Sequence, residues 1–192
     1  MVRAQFTAFG KPPGLAAVLL FLWAIALPAQ AAEEIWLLVD TQSKVLSVKQ
    51  GRQTKAEYKN ISIGRRGTTE FKIRGDNKTP LGIYRIGWFN PSSQFHRFYG
   101  FNYPSRVDAS RGLRSGLIDS ETYQRLFEAD VLDRIPDQGT RLGGQVGIHG
   151  LGSADPEIHK LFDWTKGCIA LTNSQINSLG AWIQKGTVVV VR

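Results

Sequence analysis

The chain has 192 residues, 42% of them hydrophobic, with 24 Lys and Arg against 16 Asp and Glu and a single cysteine. An ordinary apolar fraction and one thiol exclude a collagen-like, coiled-coil, low-complexity or disulfide-stapled protein, and leave one globular domain as the expectation. The positive excess favours an anionic partner, but the basic residues are scattered, which suits a plain solvated surface equally well.

Arg3 and Lys11 are the only charges before Glu33, and they precede an apolar run at residues 15–27 that ends in Pro28-Ala29-Gln30-Ala31. A basic head, a short hydrophobic core and small residues at Ala29 and Ala31 predict a signal peptide at residues 1–31, with residues 32–192 as the working domain. An uncleaved anchor is the alternative, yet 13 apolar residues fall short of the ~20 that span a membrane. Export sets the expected location at the periplasm or cell envelope. It removes nucleic acid from the expected partners and leaves no stable membrane span after cleavage.

Residues 35–40 and 44–49 are β-prone runs separated by Thr41-Gln42-Ser43, which predicts an opening hairpin. Residues 58–63 and 83–88 read as further strands, and residues 187–191 as a Val-rich strand buried on both faces. The stretch at residues 90–114 mixes aromatics, Pro, Ser and Gly without a clear period, and reads as an elaborated loop region. Two helices are predicted. Ser120 caps residues 121–132, with Tyr123, Leu126 and Phe127 on one face. Asn173 or Ser174 caps the second, which carries Ile176, Leu179 and Ile183 and stops at Gly186. The expected class is mainly β with two or more short helices.

The sharpest chemical signal is Thr165-Lys166-Gly167-Cys168-Ile169, preceded by Gly147-Ile148-His149-Gly150. A cysteine nucleophile needs a base or a positive neighbour, because a free thiol with pKa near ~8.5 is mostly protonated at neutral pH. His149 is the candidate base, and a depressed thiol pKa is the expectation for a working pair. The two lie 19 positions apart, so their meeting depends on the fold. If Ile148 and Ile169 face the core, strand alternation turns both His149 and Cys168 away from it, toward a cleft. Gly167 lets a substrate approach the backbone and, with the Cys168 amide, could receive a developing oxyanion. A buried packing thiol and simple turn glycines are the plain structural readings of the same residues.

Other chemistries find less support. His149, His159, Cys168 and His96 have no compact zinc-ligand spacing, and His159 reads as a surface residue. No Gly-x-Ser-x-Gly elbow, phosphate-binding loop or dinucleotide fingerprint occurs in the sequence. Asp76, Lys78 and Pro80 read as turn chemistry. Phe95, Phe98, Tyr99, Phe101 and Tyr103 could line a groove or form a satellite core, with His96 among them.

The segments Ile148-His149-Gly150 and Thr165-Lys166-Gly167-Cys168-Ile169 resemble the signature of the L,D-transpeptidase catalytic domain family. Gly75-Asp76-Asn77-Lys78-Thr79-Pro80-Leu81-Gly82-Ile83-Tyr84 is similar to that family's Gly-Asp-x-x-Thr-Pro-x-Gly-x-Tyr element, and Gly186-Thr187-Val188-Val189-Val190 to its closing strand. The resemblance implies a β-sandwich of that family's type, no cofactor, and Cys168, His149 and Gly167 as the catalytic group. It implies attack by the thiolate on a peptidoglycan stem peptide at the L-centre of its third residue, loss of the terminal D-alanine, and a thioester resolved by a second amine. Water in place of the amine would give hydrolysis. Gly150, Lys166 and His96 are the candidate substrate-binding residues.

One departure bears on specificity. Most members carry Arg where this chain has Ala170, and a frequent His before Gly-Cys is Lys166 here; a missing guanidinium removes a bidentate carboxylate partner. The segments at residues 90–97 and 102–108 also resemble a branch that includes enzymes releasing lipoprotein from peptidoglycan. The expected function is thus an exported cysteine acyltransferase on stem peptides. A hydrolase on the same scaffold, with a peptidoglycan-linked lipoprotein as partner, and a non-catalytic wall-binding module are the alternatives.

Overall fold

The structure, a computed structural model, describes Met1 and residues 33–192, so the signal-peptide expectation lies outside the described residues. The chain opens with β1 (Ile35–Asp40) and β2 (Val45–Gln50), the antiparallel hairpin expected from the sequence. Its turn is held by Asp40, whose Oδ1 accepts from the amides of Gln42 and Ser43. The next strand, β3 (Gln53–Lys59), begins and ends earlier than the run expected at residues 58–63 and covers the far side of β2.

A small parallel pair follows, β4 (Thr68–Thr69) with β5 (Thr79–Pro80). Between them the loop turns on Asp76, whose carboxylate accepts from Ile73 N, Lys78 N and Lys72 Nζ. Turn chemistry is therefore the role the structure gives Asp76.

The region expected to be an elaborated loop is largely ordered into regular elements. It contains the end of β6 (Gly82–Ser93), all of β7 (His96–Phe101) and α1 (Arg106–Arg114). Two register shifts in the β6–β7 pair scramble the alternation, which is why no period is visible there. The signal for α1 is present but short: Ser105 and Asp108 form a reciprocal capping box. Asp119, not Ser120, caps α2 (Ser120–Val131), one residue earlier than expected. Ala109, Ile118, Leu126 and Leu142 form a satellite core where α1 and α2 pack together.

The last third supplies β8 (Gly147–His149), α3 (Pro156–Leu161), β9 (Ile169–Ala170), α4 (Asn173–Leu179) and β10 (Val188–Val191). Thr172 rather than Asn173 or Ser174 caps α4, in a capping box with Gln175, and the helix ends at Gly180. In β10, Val189 and Val191 are buried while Val188 and Val190 are half-buried, so one face is fully covered rather than both.

Eight strands run in the order β3-β2-β1-β10-β6-β7-β8-β9. The long β6 pairs with β10 along its first part and with β7 along its second, so it links two halves of the sheet. Both halves bury their apolar side chains in one core, Leu37, Val39 and Leu46 from the first and Phe101, Ile148 and Ile169 from the second, with Ile176 and Leu179 of α4 closing it. The mainly β class with short helices holds. Among the described residues no helix is long and apolar enough to cross a membrane.

Candidate active site

β8 and β9 run parallel with Ile148 opposite Ile169 and His149 opposite Ala170. Both isoleucines are fully buried in the main core. Alternation then puts His149, Ala170 and, just before β9, Cys168 on the other face, with the cysteine and histidine as diagonal neighbours on adjacent strands. Both line one cavity of about 730 Å³, together with Trp88, Gln94, Phe95, Phe98, Gln145 and Trp164.

Turning away from the core does not expose His149. Its ring stacks on Phe95 with 4.4 Å between centroids, lies beside Phe98 at 6.1 Å, and meets Trp164 edge-on at 5.7 Å. Only 2% of the residue is accessible. Burial lowers its pKa to about 4, against an opposing hydrogen bond with Gly150. That bond fixes the tautomer: Nδ1 donates to the Gly150 carbonyl at 2.7 Å, which leaves Nε2 as the nitrogen free to exchange a proton. Phe95 and Phe98 thus belong to the site wall, whereas Tyr99, Phe101 and Tyr103 belong to the core.

Gly150 lies behind the histidine and is not among the residues lining the cavity. A Cβ there would stand 2.7 Å from both Asn173 Oδ1 and Phe95 O, so only glycine allows this packing. The Asn173 side chain, expected as a helix cap, instead accepts from the amides of Leu151 and Gly152 and ties the loop after β8 to α4. His96 is displaced further. It is exposed at the β6–β7 turn, outside the cavity, with Nε2 at 2.9 Å from Asn177 Oδ1.

Cys168 is half-buried, and its thiol donates to the Gln145 carbonyl at 3.1 Å. Among the described residues it makes no hydrogen bond with His149. Gln145 is in the left-handed region with φ of 55°, which aims that carbonyl at the sulfur. Its amide is held in turn by Gln138 Oε1. Burial raises the Cys168 pKa to about 11, opposed by the Gly147 amide and by the positive charge of Lys72. The expectation of a depressed thiol pKa is therefore reversed, because the same aromatic and backbone walls that shelter the site remove the water that would solvate a thiolate.

The turn before Cys168 is braced by Thr165. Its Oγ1 donates to the Cys168 carbonyl at 2.7 Å and accepts from Gly167 N at 3.1 Å, so the Gly167 amide is already engaged. Gly167 itself has φ of 130°, a conformation that side chains disfavour. Lys166 is exposed on the rim and, among the described residues, is the one Lys, Arg, Asp or Glu lining the cavity. Ala170 is fully buried, and its methyl group presents no charge beside His149.

His159, expected on the surface, is 4% accessible: its Nδ1 accepts from Trp164 Nε1, and Nε2 has no hydrogen-bond partner among the described residues. Sequence reasoning also missed Trp164, Gln145 and Lys72 at or behind the site. Only Trp164 carries a local signal, its closeness to Cys168 in the chain.

A sequence model of the L,D-transpeptidase catalytic domain (YkuD) matches residues 34–191. The chain belongs to that family. No curated protein sequence matches the chain. Among solved structures, the L,D-transpeptidase domain is similar in fold to the helical cell shape determining protein Pgp2 from Campylobacter jejuni, with TM-score 0.56 and 24% identity over 83% of this chain and 47% of that one. It is also similar to Bdellovibrio bacteriovorus Bd1075, with TM-score 0.54 and 20% identity over 86% of this chain and 50% of that one. The chain spans about half the length of each.

Proposed function

We propose that the chain is an exported L,D-transpeptidase that acts on peptidoglycan stem peptides through a thioester on Cys168, with His149 as general base. The observation that carries this reading is the parallel register of β8 and β9, which sets Cys168 and a tautomer-locked His149 on one face of one cavity.

Thiol and imidazole are both neutral at rest, since burial raises one pKa and lowers the other. Proton transfer therefore belongs to the attack. His149 Nε2 takes the Sγ proton as sulfur adds to the carbonyl of the third stem residue, and the oxyanion is received by the Cys168 amide. Collapse breaks the peptide bond, the protonated imidazole returns its proton to the departing D-alanine amine, and the thioester remains. A second amine, deprotonated by His149, then displaces the thiol and forms the new amide. Lys166 is the cation available to a donor carboxylate, in the absence of a guanidinium at Ala170.

The test is mass spectrometry of tetrapeptide and lipoprotein-linked muropeptides incubated with the purified protein and with Cys168→Ala. Cross-linked or amine-exchanged products that vanish in the variant support transpeptidation. Release of D-alanine or lipoprotein without a new amide would make water the acceptor. No turnover of any donor would overturn the enzyme reading and leave a wall-binding module.

A further inference from the structure

Lys72 lies behind the nucleophile, 4% accessible, and does not line the cavity. Its ammonium has three N–H groups and three acceptors: Asp76 Oδ1 at 2.6 Å, the Lys78 carbonyl at 2.9 Å and the Lys166 carbonyl at 3.3 Å. It thereby joins the loop between β4 and β5 to the turn that presents Cys168, two segments 94 positions apart in the case of Lys166. The contact is close enough to forbid a side chain at Gly167, where a Cβ would stand 2.9 Å from Lys72 Nζ and 2.6 Å from the Lys78 carbonyl.

Burying an ammonium is costly even when it is paired, and an apolar side chain of similar length would fill the space without that penalty. Asp76, paired with Lys72 at 2.6 Å within the same loop, offsets part of that charge, while the same carboxylate also accepts from Ile73 N and Lys78 N. Charge, and not volume, is what the position supplies.

We propose that Lys72 is a positioning residue for the nucleophile: its buried ammonium clamps the Lys166–Gly167 turn that carries Cys168 and sets a fixed positive charge behind the sulfur. The clamp orients the Cys168 amide and thiol toward the cavity. The charge favours the negative sulfur and oxyanion that develop during attack over the neutral resting thiol. This role rests on Cys168 being the nucleophile, but on no particular acceptor.

The charged or titratable groups around Cys168 are Lys72 with Asp76, Lys166 on the rim and His149 across the cavity. Cys168 is the one cysteine in the chain, so the rate of its alkylation by iodoacetamide at about pH 7–9, where an ammonium keeps its proton, follows the thiolate fraction of that one group. Asp76→Asn, which leaves Lys72 without its counter-charge, should raise that rate about tenfold, and Lys72→Met should lower it about tenfold. Lys72→Arg, which keeps the charge, should react like the unaltered chain.

A purely mechanical brace predicts otherwise. Asp76→Asn and Lys72→Met would both lower Tm while Cys168 was alkylated at the rate of the unaltered chain, and that result would overturn the proposal. Should Lys72→Met fail to fold, an unchanged alkylation rate in Asp76→Asn overturns it alone. The alkylation needs no substrate, so loss of the transpeptidase reading through absent turnover remains distinguishable from loss of this one. Where turnover is present, Lys72→Met should lower kcat at least tenfold with little change in KM.

Discussion

The Cys168 thiol donates to the carbonyl of Gln145 at 3.1 Å and makes no hydrogen bond with His149 among the described residues. The thiol is thus held by backbone in its protonated form and not as a thiolate.

The first consequence concerns thiol reactivity. With a Cys168 pKa near about 11, alkylation by iodoacetamide should be slow at neutral pH and rise about tenfold per pH unit toward pH 10. On the proposed mechanism, His149→Ala should leave this profile nearly unchanged while abolishing turnover of a stem peptide, because His149 would take the proton during attack and not before it. A profile that stays flat from pH 6 to 8, and drops in the variant, would instead indicate a preformed thiolate–imidazolium pair.

Stability should fall in mild acid for a different reason. The His149 pKa is about 4 in the folded protein and ~6.5 when unfolded, so its contribution is intact above pH 6.5 and is lost as pH falls toward 4. The loss amounts to roughly 3 kcal/mol. Urea unfolding at pH 7 and pH 4.5 should show most of it, and His149→Asn should flatten that part of the pH dependence.

Thr165 offers a test of the turn. Replacement by Val removes the donor to the part-buried Cys168 carbonyl and the acceptor for the buried Gly167 N. Two stranded polar groups should cost about 2–4 kcal/mol, read by chemical denaturation, and kcat should fall with them. Thr165→Ser, which keeps the hydroxyl, should recover most of both.

What could be read in the sequence was whatever the chain writes locally. The β1–β2 hairpin and the pairing of Cys168 with His149 on one face both followed from alternation, and the register of Ile148 with Ile169 bears the face assignment out. Alternation told direction but not burial. It turned His149 away from the core and could not foresee Phe95, Phe98 and Trp164 closing over it, since those rings arrive from elements whose register contains shifts. The same blindness reversed the expected thiol pKa and put His96 in the wrong place. Lys72 carried no signal, because beyond Asp76 its partners are backbone carbonyls, one of them 94 positions away.

The position of β10 has a consequence for the order in which the fold can be completed. This strand, Val188–Val191, lies between β1 and β6 and pairs with both, so the first half of the sheet stays separated from β6 until residues 188–191 have been synthesised. Synthesis at roughly 5–20 residues per second leaves β1 waiting for its neighbour for at least several seconds. Over that interval the polypeptide remains threadable, and the centre of the sheet closes last.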